Sequence, residues 1–127
     1  IAPFVLNYTE VDTPDGSPIR DYINVEDLVD AHIKALGYLE SGGESDVFNL
    51  GTGTGNSVFE IVTEVERIMG VELEKSVGER RGGDANIAVA DNRKAKEVLG
   101  WEPKRSIEQS VSSLAKWYES RPNGWDY

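Results

Sequence analysis

Two stretches spell out helix starts around which the rest of the fold must be arranged. In Ser57-Val58-Phe59-Glu60, and again at Ser106 with Gln109, a serine precedes Glu or Gln by three residues at the head of an apolar run. In that pattern each side chain takes a backbone N–H that the first helical turn leaves unbonded. Ile61, Val62, Val65, Ile68 and Met69 follow the first box at helical spacing and Gly70 stops the run; Ile107, Val111, Leu114 and Tyr118 follow the second. Two further helices are predicted. One covers 26–40, with Leu28, Ala31, His32, Ala35, Leu36 and Leu39 as its buried stripe and Ser41-Gly42-Gly43 as its end. The other covers 93–99, capped by Asp91 or Asn92 and closed by Gly100. Strands are expected at Phe4-Val5-Leu6, 19–25, 46–50, 71–77 and 87–90. Within 19–25 the alternation puts Asp21 on the apolar side, so a buried Asp21 needs a partner. The expected fold is α/β with α+β character: short mixed strands flanked by about four helices. Residues 1–127 read as one domain, without repeat or linker.

Composition removes several kinds of chemistry. There is no cysteine and a single histidine, His32, so thiolate sites and His-rich metal clusters are excluded. His32 falls within the helical stripe and is read as a packing residue. A net charge of −10 opposes binding to nucleic acid and to anionic membranes. No apolar run has the length of a membrane span, no leader is visible, and the expected location is the cytoplasm. The opening Ile1-Ala2-Pro3-Phe4 lacks an initiator methionine and reads as the interior of something longer.

The binding chemistry lies in two turn-rich places. Thr13-Pro14-Asp15-Gly16-Ser17-Pro18-Ile19-Arg20-Asp21-Tyr22 is answered downstream by Arg80-Arg81-Gly82-Gly83-Asp84. A guanidinium presents a planar fork of donors that fits two oxygens of a phosphate or carboxylate. Two forks converging on one cleft suit a diphosphate, with an aspartate for neighbouring hydroxyls. For any one of these arginines a surface ion pair beside a turn is an equal alternative.

Reaction chemistry is missing. Gly51-Thr52-Gly53-Thr54-Gly55-Asn56 fails the dinucleotide fingerprint, because Asn56 stands where its third glycine belongs, and it is read as a tight turn. No lysine follows any tyrosine by four residues, and a Ser-His-Asp relay would have to use His32. No catalytic residue and no metal ligand is assigned.

Thr13-x-Asp15-Gly16-Ser17-x-x-Arg20-Asp21-Tyr22-Ile23-x-Val25-x-Asp27-Leu28 resembles the UDP-glucose 4-epimerases of the extended short-chain dehydrogenase/reductase family. Phe48-Asn49-Leu50-Gly51-Thr52-Gly53, Arg80-Arg81-x-Gly83-Asp84 and Leu99-Gly100-Trp101-x-Pro103 extend the resemblance along nearly the whole chain. It implies the C-terminal, nucleotide-sugar-binding portion of an extended Rossmann-type epimerase, without the N-terminal NAD-binding domain and its catalytic Tyr-x-x-x-Lys. It further implies that Arg20 and Arg81 grip the diphosphate and that Asp84 accepts from the ribose hydroxyls. Val5, Leu6 and Asn7 would lie along the uracil, and Ala88 would border the sugar's 2-substituent. Arg80 would be structural. Asn24 departs from the family's usual histidine, a difference expected to affect packing. NAD would serve the complete enzyme, with none expected on this chain alone, which would be inactive. Sister branches, namely UDP-glucuronate epimerases and decarboxylases and nucleotide-sugar dehydratases, share the same arginine logic. A non-catalytic nucleotide- or protein-binding module is the alternative of another class. Surfaces left open by the missing domain would favour self-association.

Overall fold

The computed structural model describes residues 4–6, 9–80 and 82–125. Nine elements follow in order: β1 (Phe4–Leu6), β2 (Ile19–Arg20), α1 (Val25–Glu40), β3 (Asn56–Ser57), α2 (Val58–Met69), β4 (Lys75–Val77), β5 (Ile87–Ala88), α3 (Arg93–Leu99) and α4 (Ile107–Ser120). Among the described residues there are four helices and two small sheets, an α/β arrangement. In one sheet β1 runs parallel to β4, with Phe4 opposite Lys75 and Leu6 opposite Val77. In the other, β2 lies between β3, its antiparallel neighbour, and β5, its parallel one.

The helix boundaries follow the capping chemistry. Ser57 Oγ accepts from the Glu60 N–H at 3.0 Å, and Glu60 accepts from the Ser57 N–H at 2.8 Å. The same exchange joins Ser106 and Gln109 at 3.2 and 2.9 Å. Gly70 (φ 65°) and Gly100 (φ 61°) end α2 and α3 in the left-handed conformation that costs glycine nothing. At the head of α3 the two candidate caps divide the work. Asp91 accepts from the Arg93 N–H at 3.1 Å, while Asn92 donates its side-chain amide to the Gly51 carbonyl at 2.8 Å.

One core forms where α1 meets α3 and the chain leading into α4. Ala31, Ala95 and Trp101 are sealed there, with Ile23, Phe48, Leu50 and Leu99 packed against them. Trp101 donates its indole N–H to the Asp27 carbonyl at 2.9 Å. The Asp27 carboxylate, 1% exposed, accepts from the Lys104 N–H (3.1 Å), the Arg105 N–H (3.0 Å) and Arg105 Nη1 (2.6 Å). Burial opposes this charge, but the bonds from Arg105 and Lys104 outweigh it and hold the carboxyl below its ordinary value. α2 lies against α4, where Arg67 bridges Glu64 and Glu108.

Several sequence expectations need correction. The buried side of α1 is set by Asp27 and Ala31, and His32, Leu36 and Leu39 are exposed. His32 Nδ1 lies 2.7 Å from the Leu28 carbonyl, which can only accept, so that nitrogen carries the proton. On α4, Val111 is buried but Leu114 and Tyr118 are 57% and 59% exposed. Strand 19–25 ends at Arg20, because Asn24 turns to cap α1 by accepting from the Glu26 N–H at 2.8 Å. Residues 46–50 form no strand. Phe48 and Leu50 face the core, yet no described strand lies beside them to complete a ladder. Only Lys75–Val77 and Ile87–Ala88 pair within the other two expected strands.

Candidate functional site

β2 carries Arg20 into the centre of the three-stranded sheet, where Ala88 of β5 is its register partner. Ala88 is exposed and Arg20 half-buried. The guanidinium donates through Nη1 to the Ile19 carbonyl at 2.9 Å, and no carboxylate among the described residues meets it. Other arginines differ: Arg67, Arg93 and Arg105 each hold one or more carboxylates, and Arg121 lies over the rings of Trp117 and Trp125. Arg80 donates to the Asn86 side chain at 3.3 Å. Asp84 is half-buried on the turn leading to β5 and makes no hydrogen bond or ion pair with a described residue. The sheet thus brings Arg20 and Ala88 together, with Asp84 four residues before Ala88.

The remaining expected residues are distributed otherwise. Val5 and Leu6 belong to the other sheet, Val5 at 53% exposure and Leu6 buried at 6%. Arg81 and Asn7 lie outside the described residues.

Beside Arg20, Asp21 gathers four donors. They are the Thr52 N–H (2.7 Å), the Thr52 hydroxyl (2.7 Å), the Gly53 N–H (3.0 Å) and the Ala90 N–H (3.1 Å). Burial works against ionisation here, and these bonds overcome it, so the carboxyl is held below its usual value. Gly51 must be glycine at this place: a Cβ would collide with the Asp21 carboxylate and with the Ala90 methyl. The Thr52 hydroxyl also accepts from the N–H groups of Thr54 (3.3 Å) and Gly55 (3.5 Å). At the head of α2, the N–H groups of Val58, Phe59 and Glu60 go to the Pro18 carbonyl and the hydroxyls of Ser17 and Ser57. The donors of this glycine-rich turn are therefore committed within the chain, and the turn does not fit a cofactor pyrophosphate. In the sequence Asp21 was legible as a motif residue and as an acid on the apolar side of a strand, but not by its partners, which are 31 to 69 residues away. No group of His, Cys, Asp and Glu able to hold a metal occurs among the described residues. No helix of the described residues is long and apolar enough to cross a membrane.

Comparison with known proteins gives this chain a family. Residues 5–114 match the family model described as GDP-mannose 4,6 dehydratase, and the chain belongs to that family. Within it, the chain corresponds to a C-terminal portion of UDP-glucose 4-epimerases, members of the epimerase/dehydratase group. It is 43% identical over 124 residues to the UDP-glucose 4-epimerase of Lactobacillus helveticus, covering 97% of this chain and 38% of that protein. A crystal structure of a UDP-glucose 4-epimerase superposes with a TM-score of 0.96 at 42% identity, covering 100% of this chain and 39% of that one. The Bifidobacterium longum enzyme, solved in complex with NAD+ and UDP, superposes with a TM-score of 0.88 at 33% identity, covering 98% and 37%. The chain thus spans somewhat over a third of the length of these relatives.

Proposed function

We propose that this chain is the UDP-sugar-binding portion of a UDP-hexose 4-epimerase. Arg20 and Arg81 neutralise the diphosphate, Asp84 accepts from the ribose hydroxyls, and Val5, Leu6 and Asn7 lie along the uracil. The observation that carries the reading is Arg20: a half-buried guanidinium without a carboxylate partner among the described residues, on a chain with ten more acidic than basic side chains. A guanidinium that meets no carboxylate among the described residues keeps its remaining donors available to an anion. UDP in the Bifidobacterium longum complex supports the choice of nucleotide. In the complete enzyme NAD supplies hydride removal and return at the sugar's C4, and this chain's residues hold the nucleotide end in place. Alone, the chain binds no NAD and does not epimerise.

Ala88 is small and exposed opposite Arg20, which leaves volume for an N-acetyl group at the sugar's 2-position. A clash at such a place is worth roughly 1–3 kcal/mol. Self-association follows from the bare apolar surface: Val47 is 79% exposed beside residues 48–50, whose backbone pairs with no described strand.

Calorimetric titration with UDP, UDP-glucose and UDP-N-acetylglucosamine tests the proposal. Binding of all three is expected, with Arg20→Ala losing about 1.5–3 kcal/mol. Equal affinity in Arg20→Ala would remove the diphosphate role, and refusal of the acetylated sugar alone would remove the role of Ala88. Cytoplasmic residence fits this chemistry, and fractionation of the native host is its check.

A further inference from the structure

We infer that Asp21 is a positioning residue for the ligand face of the sheet, acting through Arg20 and Ala88; its effect on ligand rests on the UDP reading above. Asp21 directly follows the last residue of β2, and its two oxygens collect donors from two distant parts of the chain. Oδ1 takes the backbone and hydroxyl of Thr52, and Oδ2 takes the backbone of Gly53 and of Ala90. Ala90 lies two residues beyond Ala88, and Ala88 is the register partner of Arg20. The carboxylate therefore fastens the exit of β2 to the exit of β5, one residue after Arg20 on one strand and two after Ala88 on the other. These strands are only two residues long, so the ladder between them has little strength of its own. Gly51 allows the close approach, since a side chain there would displace the carboxylate. Asp21 points its acceptors into this lock and spends them on four donors.

An asparagine has nearly the same shape, but it offers one acceptor oxygen and turns N–H groups toward Gly53 and Ala90, which are themselves donors. The 127-residue chain, Asp21→Asn, Arg20→Ala and the double variant are titrated with UDP. Isotope-labelled chains are taken through an acid titration while the amide resonances of Thr52, Gly53 and Ala90 are followed. Asp21→Asn is expected to weaken UDP binding about tenfold, and to change it less than about twofold once Arg20 is alanine, as two residues acting through one network do. The three amides are expected to titrate together, below the ordinary aspartate range, and to lose that titration in Asp21→Asn. Undiminished UDP affinity, or equal weakening in both backgrounds, overturns the positioning role. Failure of the parent chain to bind UDP overturns the nucleotide reading instead. The Arg20 Nε–H and Ala88 amide resonances then decide the lock: displacement in Asp21→Asn supports it, and constancy overturns it. Should Asp21→Asn not fold, Thr52→Val removes one donor of the four and carries the same test, with about a threefold loss expected.

Discussion

On one side of α1, Ala31 and Asp27 are sealed beneath Trp101 and the backbone of residues 104–105, each about 1% exposed. On the other, Val25, Val29, Ile33 and Leu36 stand between 52% and 68% exposed. The covered side is built on a bonded carboxylate and a small alanine, whereas the other side carries the larger apolar residues and leaves them bare. The covered side has directional bonds as well as packing, since Asp27 anchors the start of α4 through three donors. The bare side has packing atoms and no partner among the described residues. Stability in this chain is therefore lopsided, and a substitution's cost depends on which side of one helix it meets.

The greatest effect should come from Trp101→Ala. Emptying the site of a 1% exposed indole is expected to cost about 3–5 kcal/mol in urea denaturation. A loss below about 1 kcal/mol would show that the covered side does not hold the fold. Acid is next. The carboxyls of Asp27 and Asp21 are both lower in the folded chain than in the unfolded one. Their stabilisation is complete above the unfolded value of about 3.9 and disappears as pH falls through the folded values. The thermal midpoint should change little from neutral pH to about 5 and drop below about 4, with a shallower drop in Asp27→Asn. An identical acid limb in that variant would detach Asp27 from the effect. The smallest change in fold stability belongs to Ile33→Lys, on the bare side, at within about 0.5 kcal/mol. In sedimentation the same variant should weaken self-association, and a cost above about 2 kcal/mol would mean that this face is covered within the chain.

Helices were read from the sequence more accurately than strands, for a local reason. Ser57 with Glu60, Ser106 with Gln109, and the stops Gly70 and Gly100 act within a few residues, so the sequence window contains both partners. Strand limits depend on a distant neighbour: residues 46–50 read as a short strand and still pair with nothing described, while 19–25 shortens to two residues. The stripe of α1 was misassigned because apolar residues occur on both sides, and periodicity alone does not say which side is covered. Of the candidate site, Arg20, Asp84 and Ala88 could be named from motifs. Asp21 stood in the same motif and on the apolar side of a strand, but its partners could not be read there.

Sequence alone determined where helices begin and end and the kinship to nucleotide-sugar enzymes, because each is carried by residues near one another in the chain. Tertiary structure decided the rest. It set Arg20 beside Ala88, gave Asp21 its donors from Thr52, Gly53 and Ala90, and chose the covered side of α1. Burial and hydrogen bonding across dozens of residues are settled only when the chain has closed on itself.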